Sequence, residues 1–175
     1  MNEVIKKNAL NYGIIWGVVY ILFVTTLYVL DPLFLIKPTK FISFILYIVL
    51  GIMIINKTKK ELGGYISFKE AFTTYFLCSV IGLTISTLYD IILFNIIDPS
   101  IKEPINDYLV TKGVEGMKMF GAKTEDIKKF VEEIQNNDQF SPLNQLLGLI
   151  QAFLISAVFG SLLALIFRNK TSNLE

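Results

Sequence analysis

The sequence predicts an all-α, polytopic membrane protein: four transmembrane helices, with an extramembrane pair of amphipathic helices between the third and the fourth. Three observations carry this. Mean hydropathy is +0.57 and 53% of the residues are apolar, more than a water-soluble domain of 175 residues ordinarily holds. The excess is concentrated in charge-free runs at 12–30, 41–56, 71–89 and 143–167, and runs of about 18 or more apolar residues read as spanning helices. Between the third and fourth runs lies a polar stretch, 98–142, with nine acidic residues and six lysines. The chain therefore reads as a single membrane domain, 1–175, with spans at about 10–30, 39–58, 68–97 and 142–167 and an insert at 98–141.

In the first span Lys6 and Lys7 precede the apolar run as they would in a signal peptide, yet no small-residue cleavage site precedes Asp31, so a retained helix is expected. Gly13 and Gly17, four apart, permit a close helix approach, beside an aromatic ridge of Tyr12, Trp16 and Tyr20. Asp31-Pro32 ends the helix, because proline disfavours helical geometry in the residue before it. The second span completes a helical hairpin, with Thr39 as its expected cap and Ser43, Tyr47 and Gly51 along one side.

A lysine-bearing connection turns at Gly63-Gly64. Ser67 and Glu70 then form a capping box, so the third helix should begin at Phe68. This helix carries Asp90, the one carboxylate in the apolar stretch 71–97, and a charge at a helix centre in hydrocarbon costs about 2.5–3.5 kcal/mol on insertion scales. Tyr75, Ser79, Gly82, Ser86 and Asp90 fall within about 80° of one another, giving a small, polar stripe that leads to the carboxylate.

In the insert, Ile127, Phe130, Val131 and Ile134 recur with helical spacing behind Thr124 as a cap, and a less regular helix is expected over 104–120, separated from it by Gly121. The two apolar faces should pack on each other and on the mouth of the bundle. Ser141-Pro142 starts the last helix, along which Gly148, Ala152, Ser156, Gly160 and Ala164 repeat every four residues. That ridge must meet another helix closely, and the sequence does not decide whether that helix is in the same chain. The third is the expected partner, with Asp90 a polar contact between them.

Basic residues divide evenly between the two sides of the predicted bundle, but those in short flanks at helix ends weigh more than those spread through a long insert. Both termini are accordingly expected in the cytoplasm and the insert outside. Richness in Ile, Lys, Asn and Phe suits an AT-rich bacterial genome, which makes the membrane a bacterial cytoplasmic (inner) one.

The motifs GGYISFKEAF, IIDP at the end of the third helix, GAKTEDIKKFVEEI with its SP exit, and the small-residue fourth helix with a basic tail together resemble the domain of unknown function 4199 family. The resemblance runs over nearly the whole chain. It implies a small four-helix bacterial membrane protein and supplies neither an activity nor functional residues.

The residues argue against several chemistries. Histidine is absent, which removes the commonest general base and metal ligand. An aspartyl protease site needs a second carboxylate, and none of the apolar stretches offers one. Cys78, alone, forms no internal disulfide, and the lysines are too dispersed for nucleic acid. The expectation is thus a non-enzymatic protein with no cofactor or metal, whose partners are the lipid bilayer and either a second copy or a larger membrane protein for which it is an accessory or assembly subunit. The alternative is a small oligomeric transporter or channel using the polar face of the third helix, with Tyr75, Ser79, Ser86 and Asp90 as its candidate intramembrane site.

Overall fold

The computed structural model of the chain describes residues 2–36 and 40–169. Among these residues the regular structure is entirely helical, and three helices are long and apolar enough to cross a membrane. Helix α1 (Glu3–Leu30) starts earlier than the apolar run because Asn2 caps it, its side chain accepting from the Val4 N–H at 2.9 Å. The polar first turns remain helical because Asn8 is buried and donates to Thr58 Oγ1 at 3.1 Å and to Glu61 Oε2 at 2.8 Å. Asp31 closes α1 and accepts from the Leu33 N–H, setting up a short 3-10 turn at Pro32–Leu35.

Helix α2 (Lys40–Glu61) follows; the Thr39 cap and the Ser43 side chain lie outside what the structure describes. Gly63 and Gly64 make the turn at φ +82° and +88°, a region open to glycine at little cost. Helix α3 starts at Phe68 behind the capping box, with the Glu70 N–H bonded to Ser67 Oγ and the Ser67 N–H to Glu70 Oε2. It runs as α-helix over Phe68–Ile92 and continues as one π turn, Leu93–Ile97.

Three interfaces build the bundle around α3. Against α1, the glycines admit branched side chains: a Cβ at Gly13 would lie 2.7 Å from Ile81 Cβ, one at Gly17 2.7 Å from Ile85 Cβ, and one at Gly82 2.7 Å from Trp16 Cγ. Tyr75 is fully buried between Gly51 of α2 and Gly160 of helix α6 (Pro142–Phe167). Trp16, Tyr47 and Tyr75 continue edge to face through this core, at centroid distances of 4.2 and 5.8 Å. Of the aromatic ridge of α1, Trp16 is buried and Tyr12 and Tyr20 are half-buried.

The small-residue ridge of α6 behaves differently in its two halves. Ser156, Gly160 and Ala164 are buried, whereas Gly148 is exposed with no atom near its would-be Cβ and Ala152 is half-buried. The expectation of close helix contact along the whole ridge fails at this end, because α6 diverges from α3 and leaves a cavity.

Outside the bundle, α4 (Lys102–Met119) and α5 (Thr124–Asn136) form the expected hairpin, Phe130 covering Gly113. Thr124 does not cap α5. Lys123 holds the cap position and no side-chain bond closes that end. Ile101 and Ile105 anchor the hairpin in a second core with Val24, Leu35, Leu93 and Phe94.

Candidate functional site: the cavity around Asp90

The sequence groups four residues as one site, and the fold separates them. Ser79 Oγ donates to the Tyr75 carbonyl at 2.9 Å and Ser86 Oγ to the Gly82 carbonyl at 2.9 Å, so both hydroxyls return to their own helix. Tyr47 OH donates to Ser79 Oγ at 3.3 Å. Tyr75, Ser79 and Ser86 are buried in the bundle, and of the four only Asp90 lines a cavity.

Asp90 Oδ2 accepts from Tyr20 OH of α1 at 2.7 Å. One turn beyond, Thr25 and Tyr89 hydroxyls meet, and at the helix end Tyr28 OH donates to Asp98 Oδ2 at 3.0 Å. Tyr20 and Tyr28 are eight residues apart, as are Asp90 and Asp98, which is the spacing two parallel helices in register require. This pairing was present in the sequence as two equal intervals, and it is the signal that identifies Tyr20. Just outside the span, the Ser100 hydroxyl and then Tyr28 hold the Asp98 carboxyl below its ordinary range.

The cavity has a volume of about 290 Å³ and lies where α6 leaves α3. Asp90 and Tyr20 form its polar inner end, Gly148 and Ala152 its α6 side, and Gln139, Phe140 and Gln145 its outer rim. The rim is fixed by a clasp between the end of α3 and the exit of the insert. Asn95 Nδ2 donates to the Phe140 carbonyl at 2.9 Å, Gln145 Nε2 to the same carbonyl at 2.7 Å, and Lys102 Nζ to both Asn95 Oδ1 at 2.9 Å and Asp138 Oδ2 at 2.8 Å. Phe140 stacks on Phe94 with centroids 4.4 Å apart. The π turn helps here: widening the helix over Leu93–Ile97 turns Phe94 inward and Asn95 toward the loop. Sequence reasoning missed the clasp, since its partners lie up to 45 residues apart with no shared motif.

Chemically the site brings a carboxylate and a phenol together in a recess whose walls are largely aromatic and aliphatic.

Residues 11–169 match the model of a family described as "Protein of unknown function (DUF4199)". No curated protein and no solved structure matches the chain.

Proposed function

The chain belongs to the domain of unknown function 4199 family, and from that premise we propose that it is a non-enzymatic, four-crossing protein of the bacterial cytoplasmic membrane. Its work is that of an accessory or assembly subunit, joined to a second copy or to a larger membrane protein. The observation that carries this reading is the closure of the α3 stripe: the Ser79 and Ser86 hydroxyls bond within their own helix, and Tyr75 fills the gap between Gly51 and Gly160. A conduction path needs polar groups facing water or one another along the bundle, and this stripe spends them on packing. In contrast, α6 turns a broad row outward, with Leu147, Leu154, Val158 and Leu165 exposed, a face for lipid or a neighbouring helix.

Four crossings are supported by how the helix ends group. At one end Asn8 meets Glu61, Lys59 Nζ reaches the Phe167 carbonyl, and Ile66 and Asn169 exchange backbone and side-chain bonds. At the other, Tyr28 meets Asp98 and Asn95 meets Phe140. Helix α2, 22 residues and so about 33 Å long, packs its second half on the bundle through Gly51, Ile54, Ile55 and Thr58 and returns the chain to the first end. Both termini and the Gly63-Gly64 turn then lie in the cytoplasm.

In a Cys78→Ser background, single cysteines at Glu3 and Lys60 should label from the cytoplasmic face and one at Glu115 only from outside. Labelling of 3 and 60 from opposite faces would remove the fourth crossing. For the role, purification of the full chain from native membranes in mild detergent should return a dimer or a stoichiometric membrane partner. A monomer recovered alone sinks the assembly reading. The transporter alternative draws on the Asp90 cavity, and it takes precedence if reconstituted vesicles carry a flux that Asp90→Asn abolishes.

A further inference from the structure

We propose that the groove between α1 and α2, at the end of the bundle bearing the Gly63-Gly64 turn, binds one anionic glycerophospholipid, with its phosphate at the outer end and an acyl chain along the seam. The inference goes beyond the assembly role and rests on the reading that α2 crosses the membrane beside α1, which the labelling of cysteines at Glu3 and Lys60 tests by itself. The groove has a volume of about 570 Å³ and is polar at one end only: Asn11, Tyr12 and Lys57 stand there, and Ile14, Ile15 and Met53 line the deeper part. Register is fixed by Asn8, which reaches Thr58 and Glu61 across the seam and so brings Tyr12 against Lys57 one turn further in. The Lys57 ammonium lies over the Tyr12 ring, 5.2 Å from its centroid, at the mouth of the groove. Lys7 precedes Asn11 by four residues and Ile14 by seven, while Lys60 follows Lys57 by three and Met53 by seven, so both lysines continue these two faces outward.

Charge, polar groups and length select the occupant. Lys7, Lys57 and Lys60 surround the outer end against the carboxylates of Glu3 and Glu61, and Glu61 also takes the Asn8 amide. Lys57 and Glu61 stand 3.9 Å apart with side chains 47% and 42% exposed, and an ion pair so exposed holds its lysine only loosely. Among the described residues, neither the Asn11 amide nor the Tyr12 hydroxyl bonds to another protein group, although Asn11 is exposed one turn inside Lys7 on a lipid-facing surface. A polar group at that depth is costly without a partner, and a phosphate diester offers acceptors to amide, phenol and ammonium together. Leu50, which lines the groove, also borders a shallower recess with Val19, Leu46 and Phe23 deeper between the same helices. From Asn11 to Phe23 helix α1 rises about 18 Å, slightly more than half of a hydrocarbon core of roughly 30 Å, which is the reach of one acyl chain in one leaflet. A soluble anion would leave Ile14, Ile15 and Met53 uncovered, and a zwitterionic headgroup would bring a further cation to the lysines.

The test uses the full chain, delipidated in mild detergent and offered equal amounts of phosphatidylglycerol and phosphatidylcholine with the same acyl chains, read by native mass spectrometry. One phosphatidylglycerol per chain should be retained in preference, and Lys57→Gln should lower that retention about fivefold, the share of one lysine at a charged surface. Asn11→Leu should lower it as well, Met53→Trp should fill the groove and lower retention of both lipids, and Lys118→Gln, on the insert, should change nothing. All four side chains are exposed, so these substitutions leave the packed core as it is. Independently of any variant, phosphatidylglycerol with a photoreactive acyl chain should crosslink the wild type within 11–23 and 46–57. The proposal fails if the two lipids are retained equally, if Lys57→Gln retains as much as the wild type, if Lys118→Gln loses as much as Lys57→Gln, or if the crosslinks fall on other helices. It fails equally if no lipid is retained and Met53→Trp converts a dimer to a monomer, since the groove then seats a second copy of the chain.

Discussion

Glycines that look alike in the sequence have opposite consequences in the fold, and the difference is set by what stands across the helix interface. At Gly17 and Gly82 the facing atoms are the branched carbon of Ile85 and the ring carbon of Trp16, each 2.7 Å from where a Cβ would be. An alanine there must push two spanning helices apart, and overpacking of this kind costs about 1–3 kcal/mol. Gly148 faces open space, so alanine there gains helix propensity, up to about 1 kcal/mol, with no steric penalty. Denaturant titration of the purified chain in detergent should therefore show Gly17→Ala and Gly82→Ala destabilised and Gly148→Ala neutral or stabilised. Equal losses at all three would mean that α6 closes onto α3 along its full length. Spacing by four exposed both sets of glycines to view, but nothing in a period distinguishes a face that packs from one that borders a cavity.

Among the elements, α3 shows where local sequence suffices and where it does not. Its start was legible because both halves of the capping box are three residues apart, and the structure forms both bonds. Replacing Ser67 with alanine removes the acceptor for the Glu70 N–H and should cost about 0.5–2 kcal/mol, read as a lowered unfolding midpoint and faster hydrogen exchange over 68–71. Unchanged exchange there would show that the tie between Ile66 and Asn169 holds this end without the cap. The far end of the helix was not legible. A π turn has no composition signal, and Leu93–Ile97 is set by tertiary partners, the Phe140 ring against Phe94 and the Phe140 carbonyl on Asn95. The same reason explains α5: Thr124 has the chemistry of a cap, but the chain turns at Gly121 with φ +72° and enters the helix one residue earlier, at Lys123.

At the scale of the molecule, the order of spans and insert followed from hydropathy, and the assignment of partners did not. Asp90 accepts from Tyr20 of α1, because parallel helices in register bring residues 70 apart together at two levels. The outer rim of the cavity is held by the clasp. Asn95 is its centre: it donates to the Phe140 carbonyl, accepts from Lys102, and through Lys102 is linked to Asp138. Leucine at this position is close in size and a better helix former but supplies neither group. It leaves the Phe140 carbonyl with Gln145 and deprives Lys102 of one of two acceptors. Loss of a hydrogen bond to a charged group costs about 1.5–3 kcal/mol where it is sheltered from water, less at a rim. The larger effect should be local. In Asn95→Leu, exchange should rise across 137–146 while the core around Tyr75 and Ile54 stays protected, and the cavity should lose definition with its rim. Uniform loss of protection through all six helices would instead mean that the clasp supports the whole bundle, and that the cavity is a by-product of how the helices meet.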